Sequence, residues 1–224
     1  MLLLAFDTAT PAITSAVCEA GDDGVRVRAA ASTVDARHHG ELLSPQIDDV
    51  LAQAGTAFGD LTHIAVGIGP GPYTGLRVGL ATAHALAEAL GIGCHGVATL
   101  DAVAFASGRE KPFVAATDAR RKEVFWARYA DARTRTGEIA VDVPAAVDTE
   151  GLPVIGHGAR LYADVFGPQA AEPEPDYPTA AALGEVALRR LAAGEELARP
   201  RPLYLRRPDA AEPGAPKKVR QWQA

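Results

Sequence analysis

The chain has 224 residues, enough for one large domain or two small ones. Apolar residues make up 48% and charged residues 22%, an ordinary balance for a soluble globular protein. A formal net charge of -6 argues against a stand-alone nucleic-acid binder, which usually carries a basic face.

The chain opens on an apolar run, 2–6, that reads as a buried strand. It lacks a basic start and meets a carboxylate at Asp7, so neither a signal peptide nor a membrane helix is expected. Asp7-Thr8-Ala9-Thr10-Pro11 is a turn, and 13–18 returns as the second strand of a hairpin. A third strand is expected over 25–34. A helix follows over 40–54, with Leu43, Ile47, Leu51 and Ala54 at helical spacing and Asp48, Asp49 and Gln53 covering much of the other side. The run 62–68 is another buried strand, ended by Gly69-Pro70-Gly71-Pro72. A long helix spans 74–90 and stops at Gly91. It is long enough to cross a membrane, but Arg77, His84 and Glu88 interrupt it. A short strand and a helix over 99–107 complete this half.

The pattern then restarts. An apolar run over 112–117 ends at Asp118, and 123–129 is the returning strand. Buried strand, aspartate, polar turn and strand thus occur twice, which suggests two duplicated lobes, 1–108 and 109–206. Further on, 152–158 reads as a strand ending in Gly156-His157-Gly158, and 168–178 as a proline-rich loop. An alanine-rich helix covers 179–194, with Thr179 as N-cap. Residues 207–224 read as a flexible tail, with Trp222 unexplained. The stretch 199–207, with Lys217, Lys218 and Arg220, reads either as a cationic patch or as solvated tail.

Two strand-acid-turn-strand hairpins resemble the way the actin, Hsp70 and sugar-kinase fold opens each lobe. There the turns wrap ATP phosphates with backbone N–H groups, and glycine allows the close approach. Both turns here depart from that pattern. The first has Ala9 where a glycine would be wanted, and the second, Asp118-Ala119-Arg120-Arg121-Lys122, has no glycine. The reading is an inherited but degenerate cleft at Asp7, Thr8, Asp118, Gly156 and Gly158, with no ATP hydrolysis.

Other chemistries find little support. Cys18 and Cys94 stand in no zinc-type cluster. His38 and His39 are adjacent, whereas a helical zinc pair needs histidines four apart, and Leu42 and Leu43 occupy those positions. One or the other is expected to cap or pack at the helix entry. No Gly-x-Ser-x-Gly or Walker pattern occurs. In the long helix Gly75, Gly79, Ala83, Ala87 and Gly91 recur every four residues, a stripe that lets another surface approach closely. Glycine inside a helix costs about 1 kcal/mol against alanine, so Gly79 needs a reason. Packing on the chain's own sheet and contact with another subunit both supply one.

Several segments together resemble the TsaB (YeaZ) family. They are Leu4-Ala5-Phe6-Asp7-Thr8-Ala9-Thr10, His39-Gly40-Glu41-Leu42-Leu43-Ser44-Pro45, Gly67 through Ala81, Asp118 through Ala127, and Pro202-Leu203-Tyr204-Leu205-Arg206. The resemblance implies an α/β, actin-like fold and a cytoplasmic, non-catalytic subunit without a cofactor. It implies pairing with a TsaD-like catalytic homologue through the two helices of the first lobe. Leu43, Ile47, Leu51, Gly75, Gly79, Ala83 and Ala87 would then form the contact. It also implies a homodimer when alone, a TsaE-like ATPase in the complex, and tRNA met only through the complex. The product would be threonylcarbamoyl transfer to the adenosine beside the anticodon. Competing readings are a nucleotide-dependent ATPase and, last, a metallopeptidase.

Overall fold

Leu2–Asp7 (β1) shows no polar alternation because both of its faces are covered. Leu4 and Phe6 pack with Leu43, Ile47, Leu76 and Leu80 on one side of the sheet. Leu3 and Ala5 pack with Leu183, Ala187 and Leu188 on the other. The computed structural model describes residues 1–167 and 175–205.

β1 pairs antiparallel with Ala12–Gly21 (β2), which pairs with Gly24–Val34 (β3). On its other edge β1 pairs parallel with His63–Gly67 (β4), and β4 with Gly93–Val97 (β5). His39–Ala54 (α1) and Tyr73–Leu90 (α2) cover one face of this five-stranded sheet. Gly91 closes α2 at φ 67, the left-handed conformation expected of a C-cap glycine. Thr99–Ser107 (α3) follows directly after β5.

The second sheet repeats the plan. Phe113–Asp118 (β6) and Val124–Asp131 (β7) form the second hairpin. Thr134–Arg135 (β8) and Ala140–Asp142 (β9) both pair with β7. Val154–Ile155 (β10) lies parallel to β6, as β4 lies parallel to β1. His157–Leu161 (α4) and Ala163–Phe166 (α5) then cover one face. The hairpin, the parallel strand beside its first arm and the helix after that strand therefore occur in both halves. This is the actin-like α/β arrangement.

Three sequence readings change. The expected strand over 152–158 shrinks to β10, because His157 already begins a helix. Ala180–Ala192 (α6), capped by the Thr179 hydroxyl accepting from Ala182 N–H at 3.1 Å, packs on the first sheet rather than the second. Residues 196–205 return there too: Gly96 N–H donates to Ala198 C=O at 2.7 Å, and Leu203 N–H to Ile68 C=O at 2.8 Å. The boundary at 108 separates the two sheets but not the two packing units, since the chain end crosses back. The tail 207–224 and most of the expected loop 168–178 lie outside the described residues.

A buried polar cluster joins α3 to the second sheet and α6. The Asp101 carboxylate is 5% exposed and accepts from Tyr129 O–H at 2.9 Å. Arg135 Nε stands 3.2 Å from the same carboxylate and Arg190 3.7 Å. Among the described residues, no helix is long and apolar enough to cross a membrane.

Candidate functional site

The first hairpin turn is closed by its own chain. Asp7 is fully buried at the end of β1. One carboxylate oxygen accepts from Ala9 N–H at 2.7 Å and the other from Thr99 O–H at 2.7 Å. The Thr99 hydroxyl in turn accepts from Gly69 N–H at 3.2 Å. Burial pushes the Asp7 carboxyl above its ordinary range, opposed by the Thr99 and Ala9 hydrogen bonds and by His39. A Cβ at Gly67 would fall 1.8 Å from this carboxylate, which explains the glycine at the end of β4.

Helix α2 lies directly on the same turn. The Thr8 hydroxyl donates to Gly75 C=O at 2.7 Å and accepts from Gly79 N–H at 3.1 Å. It therefore inserts between two turns of the helix, where any side chain would exclude it. A Cβ at Gly75 would stand 2.4 Å from Thr8 O, and one at Gly79 2.5 Å from Thr8 Oγ1. Gly71 is equally constrained, with a Cβ 1.9 Å from Ala9 O. The segment before α2 thus wraps the hairpin turn, and glycine is needed for close approach of backbone to backbone. On the α1 side, His39 Nε2 donates to Thr10 C=O at 2.8 Å.

These contacts correct the interface assignment. Gly75, Gly79, Ala83 and Ala87 face the chain's own sheet, and Leu43, Ile47 and Leu51 are buried in the same core. The every-four spacing marked a close-packed face, and the surface packed on it belongs to this chain. The opposite faces of the two helices are the exposed ones. On α2 that face carries Thr74, Val78, Ala81, Ala85 and Glu88, at spacings alternating between four and three, all exposed except half-buried Val78. On α1 it carries Glu41, Pro45, Asp48 and Ala52, all exposed. Alternating spacings of four and three make the seam that helices use to pack side by side.

The remaining expected site residues do not join this network. Asp118 begins the second turn and its carboxylate accepts from Arg120 N–H at 2.8 Å. Arg120, Arg121 and Lys122 all hold positive φ, at 61, 55 and 62 degrees, and their side chains are exposed. Left-handed backbone at a non-glycine residue costs roughly 1–2 kcal/mol each. Gly156 and Gly158 are small because β10 and α4 crowd β6: their Cβ atoms would stand 2.5 Å and 3.0 Å from backbone atoms of Ala116 and Thr117. Packing accounts for both glycines. The two histidines divide the work at the α1 entry. His39 packs inward, while exposed His38 pairs with Asp35 at 2.8 Å and is raised in pKa by it. Among the described residues no group of histidine, cysteine and carboxylate could hold a metal.

Sequence reasoning missed Thr99, the Asp7 partner 92 residues away, for which no local signal exists. It also missed Gly67 and Gly71, although the Gly67-Ile68-Gly69-Pro70-Gly71 spacing advertises close backbone approach.

The fold and its paired hairpins define a two-lobed, actin-like protein. The model of the family TsaD, tRNA N6-adenosine threonylcarbamoyltransferase, matches residues 32–162. A solved structure of an uncharacterised Pseudomonas aeruginosa protein, described as similar to peptidase YeaZ, superposes with TM-score 0.78 at 31% identity. The match covers 92% of this chain and 99% of that one. YeaZ from Pseudomonas aeruginosa superposes with TM-score 0.76 at 28% identity, over 91% and 99% of the two chains. An uncharacterised Mycobacterium tuberculosis protein is 43% identical over 208 residues, 93% of each chain. The Escherichia coli tRNA threonylcarbamoyladenosine biosynthesis protein TsaB is 35% identical over 132 residues, 58% of this chain and 55% of that protein. The chain belongs to the TsaB (YeaZ) family.

Proposed function

We propose that this chain is a non-catalytic activating subunit of a cytoplasmic assembly that forms threonylcarbamoyladenosine beside the tRNA anticodon. It pairs with a TsaD-like catalytic homologue, and a TsaE-like ATPase joins the pair. Without the homologue it forms a homodimer through the same surface.

The observation that carries this reading is the closed first turn. A phosphate-binding turn of this fold needs free backbone N–H groups and a carboxylate available to a metal ion. Here Asp7 is committed to Ala9 and Thr99, and α2 with the segment before it packs directly on the turn, Gly71 against Ala9 and Gly75 and Gly79 against Thr8. The same packing leaves the outer faces of α1 and α2 open, with small side chains at Ala81 and Ala85 and carboxylates at Glu41 and Asp48. Activation then proceeds by packing: the paired helices hold the catalytic homologue in one arrangement of its lobes.

Size-exclusion chromatography with light scattering, on the chain alone and mixed with the catalytic homologue, tests the reading. A homodimer that exchanges for a heterodimer is expected. A chain that stays monomeric and ignores the homologue would refute it, as would turnover of Mg-ATP by the isolated chain.

A further inference from the structure

One surface is not explained by packing or by the helix faces just described. Tyr73, at the start of α2, is 45% exposed, and Tyr204, in the returning chain end, is 43% exposed. Their rings stack with centroids 5.0 Å apart. The Arg77 guanidinium lies 3.7 Å from the Tyr73 ring centroid. One ring face has no room for both neighbours, so Arg77, Tyr73 and Tyr204 form a column of three planar groups. Two large aromatic rings held in water with a guanidinium against them gain little from burial.

The column is held in place rather than free. The returning chain is pinned along α2 by Leu203 N–H on Ile68 C=O at 2.8 Å, and by His84 Nε2 donating to Pro200 C=O at 2.8 Å. Leu197 anchors the start of this segment in the core on the other face of the first sheet, with Leu183 and Leu188. From Tyr73 to His84 the surface runs for about 16 Å along the helix.

The two segments that build it carry basic charge only, with Glu88, Glu195 and Glu196 just beyond them. Residues 68–87 and 197–205 contain no aspartate or glutamate, while contributing Arg77, Arg199 and Arg201. The chain as a whole carries -6. Arg199 and Arg201 are exposed and form no ion pair among the described residues.

A preorganised aromatic stack whose outer ring, Tyr204, keeps one face open beside Arg199 and Arg201 is what unpaired nucleotides require. A base stacks on that face and phosphates meet the guanidinium groups. We infer that the Tyr73–Tyr204–Arg77 column, with Arg199 and Arg201, binds single-stranded RNA directly. The choice of RNA as the ligand rests on the tRNA-modification reading, and the direct contact goes beyond it.

The test is fluorescence anisotropy of the full chain with a labelled, unstructured oligoribonucleotide of about a dozen nucleotides. Tyr204→Ala is expected to weaken binding about tenfold, and Tyr204→Phe to retain it. Arg201→Glu is expected to weaken binding and to flatten the slope of log affinity against log salt by about 0.7. Both positions are exposed on the chain end, and a thermal melt of each variant checks the fold. No binding by the wild-type chain at low salt overturns the inference, and so does binding unchanged by Tyr204→Ala and Arg201→Glu. Loss of pairing with the catalytic homologue while RNA binding stays unchanged would show a protein contact instead and also overturn it. The two readings separate cleanly, because pairing is read by size exclusion and RNA contact by anisotropy.

Discussion

Replacing Gly79 by alanine places a Cβ 2.5 Å from Thr8 Oγ1, with the next neighbours, Val66 and the Thr8 Cβ, at 3.6 and 3.7 Å. The clash is therefore with one atom. To make room, Thr8 must swing away and give up its bonds to Gly75 and Gly79, each worth about 1 kcal/mol net. Crowding a packed site adds about 1–3 kcal/mol, and alanine's better helix propensity returns about 1 kcal/mol. The expected loss is about 2–4 kcal/mol, or roughly 4–16 °C in melting temperature for a chain of this size. Thr8→Ala alone should cost about 1–2 kcal/mol, from the lost hydrogen bonds. The double variant removes the obstructing oxygen together with the need for it, and should cost about 1 kcal/mol or less. Urea unfolding of the four proteins gives the coupling energy directly. A double variant as unstable as the sum of its parents would show that the Thr8 hydroxyl is not what holds position 79 to glycine.

Gly75→Ala meets backbone, the Thr8 carbonyl oxygen at 2.4 Å, so Thr8→Ala should not rescue it and its loss should exceed that of Gly79→Ala in the same unfolding assay. Asp101→Ala leaves Tyr129, Arg135 and Arg190 without their shared carboxylate; a loss of about 2–3 kcal/mol is expected by urea unfolding. The loss stays below that of a fully buried pair because water screens the Arg135 and Arg190 side chains, which are 31% and 37% exposed. Burial, with a smaller contribution from Glu185, pushes the Cys18 thiol up to about 12, and burial pushes Cys94 to about 11. A thiol reagent near neutral pH should therefore leave both largely unmodified until denaturant is added. Burial also raises Asp7, so the folded state holds that proton more tightly than the unfolded chain. Its contribution to stability then falls as pH rises from about 4 towards the raised folded value and is flat above it. Asp7→Asn should abolish that part of the pH profile of the melting temperature, and an unchanged profile would contradict the assignment.

Much of the fold is legible because its signals are local. The uninterrupted apolar runs of β1, β4 and β6 announce strands covered on both faces, and Gly91 and Thr179 mark helix ends by the conformation and hydrogen bond each supplies. The duplicated hairpins are visible for the same reason, since each is a short strand-acid-turn-strand segment. What stayed hidden depends on distant partners. The four-residue spacing of Gly75 and Gly79 identifies a close-packed face of a helix without naming its occupant, and Thr8 lies 67 residues away from the first and 71 from the second. Likewise, nothing in the alanine-rich α6 says which of two sheets it will cover. Missing glycines in the turns point to a degenerate cleft, but the closed first turn depends on Thr99 and on glycines elsewhere, at 67, 71, 75 and 79.

We propose that the outward faces of α1 and α2, and not their inward faces, carry the subunit contact. Exposed Ala81→Arg and Ala85→Arg each put a long cation into the outward seam without touching the core. Light scattering after size exclusion, with the catalytic homologue present, should show a folded chain that no longer pairs, with unfolding midpoints close to wild type. Pairing that survives both substitutions would contradict the account.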